Sequence, residues 1–483
     1  MNFARDVVDA APPERLALVE LPREGPRREW TFGELSDRSA RLAGALTRHG
    51  VRRGDVVLTL IGNRPEWVLA MTACFRIGAV VLPGNEQLRA KDLRVRLAAA
   101  APKLILADER NLDELSAAQP AAEVLTIPDE SLFTGEPAPA IDLDATDPCL
   151  ITFTSGTTGE AKGIVHGQRY LPGQLLQAEN WLDARPGDLV WCTAASGWSK
   201  SARNVFIAPW LRGAAALLHD ARFDPAERLE ILATEAVAVL CMAPTEYRVI
   251  AKRTTISPLP RLRTLVAAGE ALNPEVVRAF HEVTGVEIRD GYGQTETGQL
   301  TGNPVGRPVR PGSMGLPLPG VALDVMNGEL VLTDPHTDPT FFVAYLNGRP
   351  APIDRPWPTG DRVSQDDDGY LYFEARADDV IISSGYRIGP FEVESALVSH
   401  PAVAEAAVVS APDEERGAVV RAVVVLRDGY TGSEALAGEL QQHVRQQTAP
   451  YKYPRIVDFA ANLPKTASGK VQRALLRAVG HSS

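Results

Sequence analysis

Reactive and ligand-binding side chains concentrate in a few glycine-punctuated stretches. Residues 154–163 read TSGTTGEAKG. Its hydroxyls, its unencumbered backbone amides and Lys162 suit it to bind pyrophosphate oxygens. It is not a P-loop, because GxxxxGK[ST] would need glycine at Ala161 and a hydroxyl residue at Gly163. The same composition also makes an ordinary tight turn after the strand-like CLITFT. Residues 291–298, GYGQTETG, set the Thr295 hydroxyl beside the Glu296 carboxylate in a loop too rich in glycine for a helix interior. One carboxylate suffices for Mg2+, which takes few protein ligands plus phosphate oxygens and water. A solvated loop glutamate is the plainer alternative.

Other stretches extend the set. Residues 267–274, AAGEALNP, end a buried strand at a glycine-rich crossover, where open α/β sheets place ligand pockets. PTGDRV, 358–363, carries Asp361. An Asp after Gly in a turn is ordinary turn chemistry unless it pairs with the downstream Arg376 to hold a ribose. LPKTASGKVQR, 463–473, presents Lys470 directly after a turn rather than from a helix, although lysines near a C-terminus mostly face solvent.

The elements that must position these groups are legible as alternating patterns. Apolar runs at 56–60, 104–106, 189–192 and 262–266 predict buried strands, and 32–47 and 274–283 have the i, i+3, i+4 spacing of amphipathic helices. That alternation predicts an α/β architecture with largely parallel sheets. Proline-rich loops lie at 128–139 and 350–358, with no short repeat or low-complexity linker. After about Arg376 the texture changes to a helix in FEVESALVSH, strands in VAEAAVVS and AVVRAVVVL, and a helix from Gly432 to Gln446. Roughly 105 residues in that order can fold as a separate α+β unit. The boundary is placed at Asp378, giving a domain over 1–377 and another over 379–483.

Composition narrows the classes. A net charge of −11 over 483 residues argues against nucleic acid or an anionic membrane surface as partner. The tail from Gln441 is locally basic: Arg445, Lys452, Arg455, Lys465, Lys470, Arg473 and Arg477 face the single acid Asp458. It reads as a solvated face or as an approach to a polyanion. Cys74, Cys149, Cys192 and Cys241 have neither zinc nor disulfide spacing, so buried free thiols are expected. No signal-peptide core and no ~20-residue apolar run occurs, and a cytoplasmic, soluble protein is expected.

Taken in order, TSGTTGEAKG, GYGQTETG, TGD, RADDVIISSGYRIGP and PKTASGK resemble the adenylate-forming superfamily, which holds acyl-CoA synthetases, peptide-synthetase adenylation domains and beetle luciferases. The resemblance runs from WTFGELSDRSARLAGAL to the last lysine motif. GYGQTETG, PGSMGLPLPG, RADDVIISSGYRIGPFEVESAL and APYKYPR look most like medium-chain and aromatic acyl-CoA synthetases. It implies an α/β fold: a large N-terminal domain of parallel-sheet subdomains with a β-barrel-like part, and a small mobile α+β C-terminal lid. It also implies attack of a carboxylate on the α-phosphate of ATP, release of pyrophosphate, and transfer of the acyl group from acyl-AMP to CoA.

Residue roles follow from that resemblance. Thr154, Ser155, Gly156, Thr157, Thr158 and Lys162 would bind phosphates, Glu296 would hold Mg2+ and Thr295 an α-phosphate oxygen. Gly269, Glu270 and Ala271, with Asp290, Gly291 and Tyr292, would flank adenine, and Asp361 and Arg376 would bind the ribose. Lys470 would sit between carboxylate and α-phosphate, where two anions must meet. Asp378 would be the hinge, and Ser384, Gly385, Tyr386 and Arg387 would line the thiol's approach.

The segment ASGWSKSARNVFIAPWLRGA, 195–214, corresponds to the acyl pocket, with Trp198 as its large side chain beside Gly291 and Ala195 where similar synthetases carry an acid. A core aromatic is the alternative for Trp198. No aspartate lies between Cys192 and His219 to meet an α-ammonium, which disfavours an α-amino acid and favours an apolar acid, medium-chain or ring-bearing. The expected partners are that acid and CoA. Open alternatives are loading of a carrier-protein phosphopantetheine, a non-catalytic acid- or nucleotide-binding relative, and assembly as a homodimer.

Overall fold

Two sheets organise the first three-quarters of the chain. The computed structural model describes residues 1–154, 162–270, 272–377, 379–383, 386–413, 416–465 and 471–479; of Arg387 it describes the backbone. In a seven-stranded sheet, Pro148–Thr154, Val80–Gly84, Val56–Leu60, Leu104–Asp108 and Glu123–Ile127 run parallel, and Lys162–Gly167 returns antiparallel beside Pro148–Thr154. Register pairs Thr154 with Lys162, so the two ends of the glycine-rich loop meet at one sheet corner.

The second sheet has 13 strands. Leu16–Leu21, Ala215–His219, Leu189–Cys192, Val239–Met242, Thr264–Ala268 and Ile288–Gln294 are parallel. Beyond Ile288–Gln294 the sheet turns antiparallel through Gly298–Gly302, Ser313–Pro317, Leu371–Arg376 and Trp357–Gln365, over a small core of Met314, Leu330, Val363 and Leu371. The site sits where the parallel half gives way to the antiparallel half.

Helices pack between and outside these sheets for local reasons. Phe32–Arg48 starts with a capping box from Thr31 and Glu34 and buries Phe32, Leu35, Leu42 and Leu46 on one stripe. Pro65–Ile77 has proline in its first turn, is buried almost all round and ends at left-handed Gly78. Both feed the main core, which also takes Trp67, Trp181 and Phe206.

The C-terminal part is an α+β unit. The hairpin Val403–Asp413 with Gly417–Leu426, plus the parallel strand Ile456–Phe459, is covered by helices Pro390–Ser399 and Glu434–Gln447. Its main apolar cluster, which includes Ile388, Val393, Leu397, Val408, Val424 and Leu440, draws on no buried residue before Ile381.

Three sequence expectations shift. The strand expected at 262–266 is Thr264–Ala268, because Leu259 and Leu262 pack under the neighbouring core from a proline-bounded loop. PTGDRV is not a turn: it lies inside the strand Trp357–Gln365, where Gly360 takes a φ of 72° that accommodates an irregular ladder. The basic tail is only partly a solvated face: Arg445 and Arg455 are exposed, Lys470 lies outside the described residues, and the others are paired. Lys452, Arg473 and Arg477 pair with Glu392, Glu394 and Asp379, Lys465 with Glu405, and Arg445 lies over the Tyr453 ring. All four cysteines are free and buried. Among the described residues no helix is long and apolar enough to cross a membrane.

Candidate active site

Asp361 is the centre of the best-defined constellation. On the strand Ile288–Gln294, Tyr292 and Gln294 are two residues apart and share a face. The Tyr292 hydroxyl and Gln294 Nε2 (2.9 Å) both donate to Asp361 Oδ2. Arg376, opposite Asp361 in the antiparallel register, donates from Nη1 to Oδ1 at 3.0 Å. Gln294 is itself oriented, with Nε2 donating to the Thr359 carbonyl at 2.7 Å and Oε1 accepting from Trp357 Nε1 at 3.2 Å. Burial, followed by the adjoining Asp361 charge, pushes the Tyr292 phenol well above its ordinary range, so it stays a donor. Gln294 lay inside the GYGQTETG stretch without a role, and its i, i+2 spacing from Tyr292 was the signal available.

Thr295 and Glu296 occupy the turn between Ile288–Gln294 and Gly298–Gly302, a strand–turn–strand rather than a free loop. Gln294 N donates to Thr297 Oγ1 (3.0 Å), Thr340 Oγ1 to the Thr297 carbonyl (2.5 Å) and Phe342 N to the Glu296 carbonyl (2.9 Å). Burial lifts the Glu296 carboxyl above its usual range, opposed by the charges of Arg376 and Lys162. One half-buried carboxylate within electrostatic reach of the loop lysine is a donor set that fits Mg2+ shared with phosphate oxygens. Beneath the turn, His166 is wholly buried against the Tyr170 ring. Burial and the nearby Arg203 charge pull its pKa to about 3, so it is neutral at physiological pH.

The parallel strands supply the third wall. Gly269 follows Thr264–Ala268 with a φ of 100°, and a Cβ there would meet Lys200 Nζ at 3.4 Å. Glu270 Oε2 accepts from Thr245 Oγ1 (2.6 Å) and Arg248 Nη2 (3.0 Å). Asp290 Oδ1 accepts from Gly291 N at 2.9 Å, and burial raises its pKa well above the usual carboxylate value.

Residues 5–336 match the AMP-binding enzymes, and residues 392–470 match the AMP-binding enzyme C-terminal domain. The chain belongs to the AMP-binding enzyme family. Within it, the chain falls in the acyl-CoA synthetase branch of the adenylate-forming enzymes. It is 39% identical to the mitochondrial acyl-coenzyme A synthetase ACSM4 of Mus musculus, over 99% of this chain and 90% of that one. An anthranilate CoA ligase in complex with anthranoyl-AMP superposes with a TM-score of 0.90 at 28% identity, covering 99% of this chain and 97% of the other. ATP-bound MatB from Rhodopseudomonas palustris, 27% identical over 100% of this chain and 99% of its own, gives 0.87. Apo MatB from the same organism, 26% identical over the same shares, gives 0.76.

In this AMP-binding enzyme the segment that leaves Leu189–Cys192 has a different character from the Asp361 centre. Gly197, at φ 87°, packs so closely on Asn85 that a Cβ would lie 2.4 Å from its backbone nitrogen, which sets Trp198 at the head of the turn. Trp198 is half-buried. Lys200 Nζ donates to the Ala268 carbonyl at 3.0 Å, next to Gly269. Ser201, Arg203 and Asn204 are buried. In the sequence of this stretch Trp198 and the missing aspartate were weighed, and neither Lys200 nor Arg203 was singled out. A cavity of about 690 Å³ opens beside Ser196, but its Arg110, Asp220, Arg228 and Glu246 already pair with one another, and it does not include the Asp361 group.

Several expected site residues lie outside the described residues: Ser155, Gly156, Thr157, Thr158, Ala271, Asp378, Ser384, Gly385 and Lys470, together with the Arg387 side chain. Thr154 and Lys162 bracket the first of these groups. Tyr386 is 53% exposed and stacks on Tyr451 with centroids 4.3 Å apart.

Proposed function

We propose that the chain activates a carboxylic acid with ATP as an acyl-AMP, releasing pyrophosphate, and then transfers the acyl group to the thiol of CoA. The observation that carries this reading is the Asp361 carboxylate, oriented by Tyr292, Gln294 and Arg376 within electrostatic reach of the Glu296 turn. Oxygens so oriented suit the vicinal hydroxyls of a ribose. The adjoining Lys162 and Glu296 suit the charge of a leaving pyrophosphate. Activation is required because a carboxylate resists nucleophiles, whereas AMP leaves readily from a mixed anhydride.

In this mechanism Asp361 and Arg376 hold the ribose, and Gly269, Glu270, Ala271 and Asp290–Tyr292 flank the adenine. Thr154–Thr158 and Lys162 hold the β- and γ-phosphates, Thr295 holds an α-phosphate oxygen, and Glu296 would bind Mg2+. The metal, when bound, offsets phosphate charge. Lys470 neutralises the meeting of carboxylate and α-phosphate. For the second step, residues 379–483 turn about Asp378 and bring Ser384–Arg387 to the acyl carbonyl. An apolar frame on the acid, medium-chain or ring-bearing, suits Trp198. Free, buried thiols suit a cytoplasmic setting.

The test is pyrophosphate release from ATP over a panel of straight-chain and aromatic carboxylic acids, run with CoA and with a holo carrier protein. The reading expects acid-dependent release and an acyl-CoA product. Faster acyl transfer to the carrier protein than to CoA would reassign the acceptor. No acid-dependent release with any acid would overturn the ligase itself.

A further inference from the structure

A single lysine ties the large part of the chain to the small part. Lys252 lies in the last turn of the helix Pro244–Arg253. Its Nζ donates to the carbonyls of Val398 (3.2 Å), Val403 (2.9 Å) and Ala404 (3.3 Å). These carbonyls sit where the helix Pro390–Ser399 ends and the strand Val403–Asp413 begins. An ammonium has three donors, and here all three are engaged. The acceptors include a carbonyl at the negative end of a helix dipole, which has no partner inside the helix.

The surroundings penalise the charge, and the three carbonyls offset part of that penalty. Burial first, then the charge of Arg427, pull the Lys252 pKa down to about 8; Arg248 acts in the same sense, and Glu275 and Glu405 oppose it. The ammonium is therefore still the majority form at neutral pH. Arg427 Nε shares the Val403 carbonyl at 3.3 Å.

The same helix also reaches the adenine side of the site. Thr245, Arg248 and Lys252 follow at i, i+3 and i+7, on one helical face. Thr245 and Arg248 hold Glu270, Arg248 Nη1 donates to Asn273 Oδ1 (3.3 Å), and Asn273 Nδ2 donates to Ser395 Oγ (3.0 Å). One helix face thus touches both the Gly269–Glu270 turn and the small part. The overall arrangement superposes better on ATP-bound MatB than on apo MatB, with TM-scores of 0.87 and 0.76.

We propose that Lys252 is a positioning residue that holds the small part in the arrangement used for acyl-AMP formation, and that its clasp on three carbonyls opens before the thiol step. The proposal rests on the two-step reading above. Lys252 touches no reacting atom; it acts by biasing which face of the small part is presented, as expected of a hinged closure that must be reversed each turnover.

Full-length wild type, Lys252→Met and Lys252→Arg are compared in each half-reaction. Acyl-AMP formation is followed by pyrophosphate exchange, and thioester formation is followed from supplied acyl-AMP and CoA. Lys252→Met is expected to lose about tenfold or more in the first, a shift of ~1.4 kcal/mol, with the second unchanged or faster. Lys252→Arg should recover at least half of that loss. Ser395→Ala, a mild change on the partner side, should shift the ratio of half-reactions in the same direction by about two- to threefold. Equal loss in both half-reactions, or an unchanged ratio in Lys252→Met and Ser395→Ala, would overturn the proposal.

A readout free of substrate accompanies this. Spin labels at Val283→Cys and Tyr430→Cys occupy exposed positions, 39% and 48% accessible, one on each part. Lys252→Met is expected to add a second inter-label distance to the wild-type distribution; identical distributions would contradict the clasp. Failure of the ligase reading looks different, because wild type then releases no pyrophosphate with any acid while the labels still report the clasp.

Discussion

At the proposed ribose end of the site both Asp361 oxygens are engaged, by Tyr292, Gln294 and Arg376, and the residue is 3% exposed. At the proposed acyl end the opposite holds. Trp198 Nε1, Ser201 Oγ, Arg203 Nε and Nη1, and both polar atoms of the Asn204 side chain are buried with no hydrogen-bond partner among the described residues. Arg203 also lies against the Tyr170 side chain and near His166. Buried polar groups without partners cost roughly 1–3 kcal/mol each, so the two ends carry opposite energetic signs. The Asp361 group is already joined by hydrogen bonds through both carboxylate oxygens. The acyl end holds unpaired capacity that water or a polar substituent on the substrate would fill.

The comparison breaks most visibly at Asp361. Asp361→Ala removes the acceptor shared by the Tyr292 hydroxyl, Gln294 Nε2 and Arg376 Nη1. The expected result is loss of acid-dependent pyrophosphate exchange by at least about a thousandfold, two anchoring contacts to the ribose being lost together. A stability loss of about 2–4 kcal/mol should accompany it in urea unfolding, because three partly buried hydrogen bonds, one of them the ion pair to Arg376, are lost together. Retained exchange with a raised ATP KM alone would place the ribose elsewhere.

Arg203→Met is expected to move stability the other way. Replacing a buried cation that has no acidic partner among the described residues with an apolar side chain of similar length should raise the urea midpoint, by about 1–3 kcal/mol in unfolding free energy. Activity toward acids with a polar or anionic substituent should fall relative to activity toward their unsubstituted counterparts. A destabilised variant would mean that Arg203 is satisfied in solution and that the two ends do not differ in sign.

Trp198→Ala sharpens the same contrast at smaller amplitude. The acid profile should move toward longer or bulkier acids, with about 2–3 kcal/mol lost for those that packed on the indole and the ATP KM unchanged. An unchanged acid profile would return Trp198 to a purely structural place.

The smallest expected effect is on pH. Burial raises the Glu296 pKa, so its carboxylate is lost at a higher pH than an ordinary glutamate's. The group is charged, and able to hold Mg2+, above that pKa and neutral below it. Mg2+ affinity in the presence of ATP should therefore fall on acidification before exposed carboxylates titrate, and Glu296→Gln should remove that limb. A Mg2+ dependence in Glu296→Gln equal to wild type would move the metal to other ligands.

Much of the Asp361 group was legible in the sequence because backbone pattern and side-chain chemistry coincide there. Asp361 and Arg376 were paired before any geometry, and the antiparallel register then set them opposite each other. What misled was Gly360: a Thr-Gly-Asp triplet reads as a turn, yet Gly360 at φ 72° sits inside a strand, where sheet neighbours outweigh the local preference. The acyl end was less legible. Whether Lys200 and Arg203 point outward or inward depends on the turn at Gly197, whose close approach to Asn85 is a long-range contact no local pattern contains. The Lys252 clasp was invisible for the same reason. Its acceptors are backbone carbonyls about 150 residues away, and carbonyls carry no sequence signature.

The central claim is that a substrate carboxylate attacks the α-phosphate of ATP. It is tested most directly by incubating the protein with ATP, Mg2+, CoA and an accepted acid labelled with 18O in its carboxylate, then analysing the nucleotide product by mass spectrometry. The account predicts AMP carrying one labelled oxygen, in step with acyl-CoA and unlabelled pyrophosphate. Unlabelled AMP, label in phosphate or pyrophosphate, or ADP as the nucleotide product would contradict it.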